Sequence, residues 1–172
     1  LIYSSLNNSL HPSAGTSLSF SQDFAGLGGD VKYVRTRASD AHYWGFGGGF
    51  ILSAKAEGGW IASLEGKQAP GVDGVLITDR FFLGEPQFRG FDIRGIGPRV
   101  KRYYYTTEDG KQVLNMAKRS VSDDALGGRA YYLGHLELEL PLGAGAQELG
   151  LRPSIYVDVG ALFGLKQPPP TV

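Results

Sequence analysis

A single arginine between an aromatic side chain and a glycine is the residue whose chemistry stands out first. Phe88-Arg89-Gly90-Phe91 lies in a long loop and is followed by Asp92-Ile93-Arg94-Gly95-Ile96-Gly97-Pro98. Phe88 and Phe91 resist solvation, Gly90 permits backbone angles that are closed to other residues, and Pro98 stiffens the exit. We therefore predict that this loop packs inside the protein rather than lying in bulk water.

Patterns for catalysis or metal binding are weak in this chain. His11, His42 and His135 are scattered over different segments, none has a partner at metal-ligand spacing, and the chain has no Cys. Ser53 or Ser154 could serve a hydrolase together with His135, but no Gly-x-Ser-x-Gly turn supports that reading. The sequence therefore predicts a protein with no catalytic residue, no metal and no cofactor.

Charge and composition argue against a nucleic-acid partner. The 172 residues include 17 Lys and Arg against 17 Asp and Glu, for a formal net charge of zero, with 26 Gly and 12% aromatic residues. Arg94, Arg99, Lys101 and Arg102 precede Tyr103-Tyr104-Tyr105, which superficially suggests base stacking, but a solvated loop explains them more simply. The sequence contains no run of about 18 apolar residues, so it predicts no transmembrane helix. Leu1 opens inside a strand-like run without a signal peptide, which predicts a piece of a longer chain.

Alternation of apolar and polar residues predicts β-strands through most of the chain. In the segment 130–140 the even positions are mainly apolar, while His135, Glu137 and Glu139 lie on the other face. Turn residues such as Gly47-Gly48-Gly49 separate the strands, and short turns imply antiparallel neighbours. We predict six strands, at Leu1 to Asn8, Thr16 to Phe24, Val31 to Gly45, Phe50 to Ile61, Arg129 to Leu140, and Leu151 to Phe163.

Two architectures fit these strands, and they differ in what covers the apolar face. In a soluble sandwich a second sheet would cover it, whereas in an outer-membrane barrel lipid would cover it and the polar face would line a wet interior. Several segments exceed ten residues, as a spanning strand of about 9–11 residues requires. Aromatic residues near the strand ends are typical of a membrane girdle: Tyr43, Trp44, Trp60, Tyr131 and Tyr132. The exception to the short turns is the span 62–128, which carries Phe88-Arg89-Gly90-Phe91, and loops of this length tend to be functional or disordered.

The chain resembles the C-terminal barrel of the Omp85 superfamily. The resemblance rests on Phe88-Arg89-Gly90-Phe91 with Ile96-Gly97-Pro98, which match the family signature of the sixth extracellular loop, and on the supporting segments Pro12 to Thr16, Asp123 to Gly128, Leu136 to Pro141 and Val157 to Gly160. It implies an antiparallel part of a sixteen-stranded transmembrane β-barrel in the outer membrane of a Gram-negative bacterium. Residues 1–172 would supply about strands 8 to 13, with the sixth loop at about 62–128. Periplasmic POTRA domains and the lateral gate between the first and last strands would lie outside it.

The resemblance also implies partners for the arginine. A guanidinium drawn into a barrel lumen must find carboxylates, and Glu137 and Asp158 lie on the polar faces of the two strands after the loop. Both match acidic positions that the family signature arginine contacts, and Glu139 shares the face of Glu137 as a third candidate.

The function that the resemblance implies is non-enzymatic assembly and insertion of outer-membrane proteins. The expected partners are unfolded client proteins, assembly-complex lipoproteins reached through the POTRA domains, and lipid with lipopolysaccharide; no nucleic acid is expected. A secretion pore of the two-partner type from the same superfamily and a plain solute porin remain as alternatives. Because six strands cannot close the barrel, we expect this fragment to associate with itself.

Overall fold

The computed structural model describes residues 1–26, 31–66, 72–115, 121–142 and 150–165. These ranges contain nine strands, and the predicted all-β antiparallel meander is confirmed. Most of the predicted turn at 26–30 and all of the turn at 143–145 lie outside the described residues. Within the described ranges no helix is long and apolar enough to cross a membrane. The strands are β1 (Ile2–Ser4), β2 (Gly15–Ala25), β3 (Tyr33–Phe46), β4 (Phe50–Ser63), β5 (Arg99–Glu108), β6 (Lys111–Asn115), β7 (Val121–Ala125), β8 (Ala130–Glu139) and β9 (Ser154–Phe163).

The main sheet contains the six strands that the alternation predicts. Its order is β1-β2-β3-β4-β8-β9, and every neighbouring pair is antiparallel. Consecutive strands are therefore neighbours except at one place, where the chain leaves β4 and returns as β8 after a long connection. A 3-10 turn at Gly47–Gly49 joins β3 to β4 at the opposite end of the sheet.

The register separates an inner face from an outer face. On β8 and β9, His135 lies opposite Asp158 and Glu137 lies opposite Tyr156, so all four project from the inner face. The next row, Leu136 opposite Val157, projects from the outer face. These outer side chains are largely exposed, at 50% for Leu136 and 60% for Val157, which is the pattern of a surface that lipid covers.

The aromatic side chains near the strand ends divide between the two faces. Trp44, Trp60 and Tyr132 are exposed on the outer face, as a girdle requires. Tyr131, however, is buried on the inner face, and Tyr43 lies under the ammonium group of Lys55. The prediction was wrong for these two tyrosines because alternation sends neighbouring residues of one strand to opposite faces.

The connection between β4 and β8 contains three strands that the sequence analysis missed. β5 pairs with β6 and β7 in a separate small sheet of order β6-β5-β7. Asp109 and Gly110 form the β5–β6 turn, with φ of 50° and 74°. An Asp-Gly pair favours such a two-residue hairpin, so this signal was present in the sequence. The consecutive residues Tyr103-Tyr104-Tyr105 place large exposed rings on both faces of β5, so this strand shows no alternation of apolar and polar residues.

The buried core lies where the connection packs on the inner face of the main sheet. The sheet contributes Ile61, Leu133 and Leu162, and the connection contributes apolar side chains that meet them. Gly97 makes the closest approach: at φ 107°, a Cβ on it would lie 2.6 Å from Cδ2 of Leu162. The loop side of this core consists of Val75, Phe81, Leu83 and Phe88.

Candidate functional site: an arginine-anchored loop on the inner face

The segment Phe88-Arg89-Gly90-Phe91 turns sharply, so that Arg89 reaches the inner face of the main sheet. The backbone N–H of Phe88 donates to the carbonyl of Gly84 at 3.0 Å, which closes a turn before the arginine. Phe88 is 6% exposed and packs over Gly160 of β9, where a Cβ would lie 3.2 Å from its ring. Gly90 has φ of 84°, a left-handed conformation that favours glycine. The packing of Phe88 thus holds the segment on β9, and Gly90 turns the chain away from the sheet after Arg89.

Arg89 forms two ion pairs with the carboxylates of the facing strands. Its Nε donates to Oδ2 of Asp158 at 2.8 Å and its Nη2 donates to Oδ1 of Asp158 at 2.7 Å. Its Nη1 donates to Oε2 of Glu137 at 2.9 Å. The pair with Asp158 is therefore bidentate, which a lysine cannot reproduce. The structure brings together three side chains that the sequence analysis singled out, from the loop, β8 and β9.

Two further side chains complete the environment of the arginine. The guanidinium carbon of Arg89 lies 3.5 Å from the ring centroid of Tyr156, which is a stacked cation–π contact. Nδ1 of His135 lies 2.8 Å from Oδ1 of Asp158. Neither role was predicted from the sequence, although Tyr156 and His135 share the polar faces of Asp158 and Glu137. His135 thus joins this network through Nδ1 and Asp158.

Burial makes this site sensitive to loss of the arginine. The side chain of Asp158 is 3% exposed, whereas those of Arg89 and Glu137 are 32% and 28% exposed. Hydrogen bonds from its own guanidinium to Asp158 raise the pKa of Arg89 above its ordinary value. The arginine therefore stays charged.

Other predicted residues lie near this network without joining it. Glu139, the third candidate partner, lies 3.5 Å from Nη1 of Arg152 and does not contact Arg89, because it lies one row further toward the β8 terminus. Phe91 is 47% exposed and packs on Phe88, with ring centroids 4.7 Å apart. The backbone carbonyl of Pro98 accepts from the N–H of Leu126 at 2.9 Å, which fixes the exit of the segment.

A second group of contacts holds the start of the connection to the inner face. The Tyr33 hydroxyl donates to Asp79 at 3.2 Å, and the guanidinium of Arg37 lies 5.4 Å from the ring centroid of Phe81. The Phe81 and Tyr131 rings meet edge to face at 4.6 Å. The connection is thus attached to the sheet both at Arg89 and at these aromatic contacts.

The main sheet is open and antiparallel, with an apolar outer face and a polar inner face to which a long loop is fixed. These features define a section of a membrane β-barrel with an inward-folded loop. The Omp85 superfamily domain matches residues 1–171, and the chain belongs to this superfamily.

The chain is similar to proteins from bacteria and from vertebrates. It is 34% identical over 169 residues to outer membrane protein assembly factor BamA of Neorickettsia risticii, covering 96% of this chain and 19% of that protein. It is 28% identical over 171 residues to the human sorting and assembly machinery component 50 homolog, covering 96% of this chain and 31% of that protein. The chain therefore spans less than a third of the length of either relative.

A solved structure has the same fold. The crystal structure of BamA from Haemophilus ducreyi lacking POTRA domains 1-3 superposes with a TM-score of 0.71 at 25% identity, covering 95% of this chain and 29% of that chain. The predicted membership of a partial Omp85 barrel, similar to BamA, is confirmed.

Proposed function

We propose that this chain is the loop-bearing section of the barrel of an outer-membrane protein assembly factor. In this proposal the main sheet corresponds to about strands 8 to 13 of sixteen, and the span 62–128 is the sixth extracellular loop. The observation that carries the proposal is the bidentate pair of Arg89 with the buried carboxylate of Asp158, reinforced by Glu137. Two relatives also support the proposal, since the protein of Neorickettsia risticii is named an outer membrane protein assembly factor and the human protein is named a sorting and assembly machinery component.

The proposed activity needs no catalytic residue. The free energy of an unfolded client falls when its strands pair and its apolar side chains enter lipid. An assembly factor therefore need only lower the kinetic barrier to folding and insertion. The role of Arg89 is to keep the loop inside the barrel, where it braces β8 against β9. A loop released from the inner face would leave the buried Asp158 without its main counter-charge and would weaken the attachment of β8 to β9.

The proposed partners follow from the same reading. Clients are unfolded outer-membrane proteins, and lipoproteins of the assembly complex would bind POTRA domains elsewhere in the full protein. The proposed location is the outer membrane of a Gram-negative bacterium, with lipopolysaccharide around the outward-facing loops. Arg99 and Arg102 add little to such binding because they already pair with Asp123 and Asp124.

The test uses the full-length protein that contains this chain, reconstituted in liposomes with an unfolded client barrel. Folding of the client is followed by its heat-modifiable migration on gels. We expect Arg89→Ala to slow client folding at least tenfold, while the control Arg99→Ala, which removes an ion pair of the small sheet, stays near wild type. A wild-type protein that fails to accelerate folding of any client, yet exports one dedicated substrate, would overturn the proposal in favour of a secretion pore.

A further inference from the structure

Three arginines in the described part of the chain have no carboxylate partner, and all three lie beside Phe81-Phe82 of the long connection. Among the described residues, no Asp or Glu oxygen lies within salt-bridge distance of Arg37, Arg80 or Arg94. The other described arginines each pair with a carboxylate: Arg35, Arg89, Arg99, Arg102, Arg129 and Arg152. Because guanidinium groups stay charged, an unpaired cluster of them indicates a place for an anion.

Arg37 extends from the inner face of the main sheet. It lies on β3 opposite Gly59 of β4, and its guanidinium carbon lies 5.4 Å from the ring centroid of Phe81. Arg37 is exposed, and its guanidinium donates no hydrogen bond to any described residue. Its N–H donors are therefore free to bind a ligand.

Arg80 extends from the connection and is held in place by backbone carbonyls. Its Nε donates to the carbonyl of Val75 and its Nη1 donates to that of Leu126, both at 3.0 Å. Nη2 has no acceptor among the described residues, so one arm of a fixed guanidinium remains available. Arg94 stacks on Phe82, with its guanidinium carbon 4.5 Å from the ring centroid, and adds a third positive charge.

A cavity of about 290 Å³ lies between the connection and the inner face at this place. Arg37 and Arg80 line it together with Gln87, whose side-chain amide makes no hydrogen bond with a described residue. The one carboxylate among its lining residues is Glu57, which accepts a hydrogen bond from Tyr131. Since Arg94 lies beside this lining, three guanidiniums accompany one carboxylate and positive charge is in excess. The remaining lining residues are Phe81, Phe82, Leu83, Tyr131 and Leu133.

We propose that this cavity binds a phosphate group, either as inorganic phosphate or as a soluble phosphate monoester. Such a group carries a charge of about −1.5 to −2 at neutral pH and several acceptor oxygens, which match the excess positive charge and the free N–H donors. A single carboxylate would neutralise only part of that excess. The ligand reaches the cavity from the barrel interior, because lipid covers the opposite face of the sheet. This inference goes beyond the assembly function and does not depend on it.

The test is isothermal titration calorimetry of the full-length protein in detergent, at constant ionic strength. Inorganic phosphate and glycerol 3-phosphate are both expected to bind. Tighter binding of glycerol 3-phosphate would assign the ester as the ligand, and equal or weaker binding would assign the free anion. Dimethyl phosphate carries a single charge and fewer free oxygens, so it should bind at least about tenfold more weakly, as the loss of one charge-assisted hydrogen bond allows.

Variants of the charged lining residues test the site itself. Arg37→Gln should weaken phosphate binding about tenfold or more, and Arg37→Lys should weaken it less because the charge remains. Glu57→Gln can still accept from Tyr131 but loses its negative charge, so it should tighten binding, a direction that damage to the fold would not produce. The control Arg152→Gln removes the same charge near the opposite end of the sheet, where Arg152 pairs with Glu139, and should leave binding unchanged.

Each variant is compared with wild type after it shows the heat-modifiable migration of a folded barrel, and Glu57→Gln decides the question if Arg37→Gln does not fold. The proposal is overturned if the wild-type protein binds neither phosphate probe at millimolar concentration, or if folded Arg37→Gln binds both as tightly as wild type. Unchanged or weaker binding in Glu57→Gln would overturn it as well. So would a structure of the full-length protein in which a carboxylate from another strand pairs with Arg37.

Discussion

Replacing Arg89 with Ala removes the only cation that lies within salt-bridge distance of Glu137 among the described residues, and leaves the buried Asp158 with His135 and the backbone N–H of residue 89. Breaking a buried pair by deleting one partner costs about 3–5 kcal/mol, because the remaining charge stays desolvated. His135 still contacts Asp158, so the lower limit is the better figure. A loss of about 3 kcal/mol raises the undocked fraction of the loop about a hundredfold.

Limited proteolysis of the full-length protein in membrane vesicles measures this undocked fraction. The cleavage rate within the loop tracks the population of the open form when opening and closing are faster than cleavage. We expect Arg89→Ala to raise the rate about a hundredfold, and Arg89→Lys to give an intermediate increase because it keeps the charge but loses the bidentate geometry. Arg99→Ala serves as the control. Unchanged cleavage in Arg89→Ala would refute the anchoring role and leave the packing of Phe88 on Gly160 as the means of holding the loop.

Three further predictions concern the loop and the edges of the sheet. Gly90→Val should increase loop cleavage, because its φ of 84° costs an L-residue about 1–2 kcal/mol although the space around it is open; equal cleavage in Gly90→Val and wild type would contradict this. Gly59→Val should lower the thermal stability of the full-length barrel, since a Cβ there would lie 2.5 Å from the Tyr131 ring and 2.7 Å from the Phe81 ring, and an unchanged melting temperature would show that both rings move aside freely. The isolated 172-residue chain should form dimers or larger species in detergent by light scattering, because β1 and β9 have no strand on their outer sides among the described residues; a monodisperse monomer without detergent would contradict this.

The alternation of side chains was sufficient to predict the main sheet. A period of two over 130–140 and 151–163 assigns Glu137 and Asp158 to one face, and the antiparallel order of neighbouring strands then brings them together. The same rule places His135 and Tyr156 on that face, yet neither was predicted beside Arg89. Register decides which inner residues are opposite one another, and it depends on a turn length that alternation does not provide.

The long connection was predicted only in outline. β5 alternates poorly because Tyr103, Tyr104 and Tyr105 are consecutive, so its strand signal came from the Asp109-Gly110 turn alone. Glu139 illustrates another limit of a face assignment. It shares the inner face with Glu137 but lies opposite Ser154, one row beyond the reach of Arg89, and Arg152 lies beside it instead.

A double-mutant cycle on the pair of Arg89 and Asp158 tests the central claim most directly, which is that this ion pair anchors the loop for client assembly. The rate of client folding is measured with the full-length wild-type protein, Arg89→Ala, Asp158→Asn and the double variant. If the two side chains act through one contact, the double variant folds clients no more slowly than the worse single variant. If the two losses multiply instead, the residues act independently and the anchored-loop account is wrong.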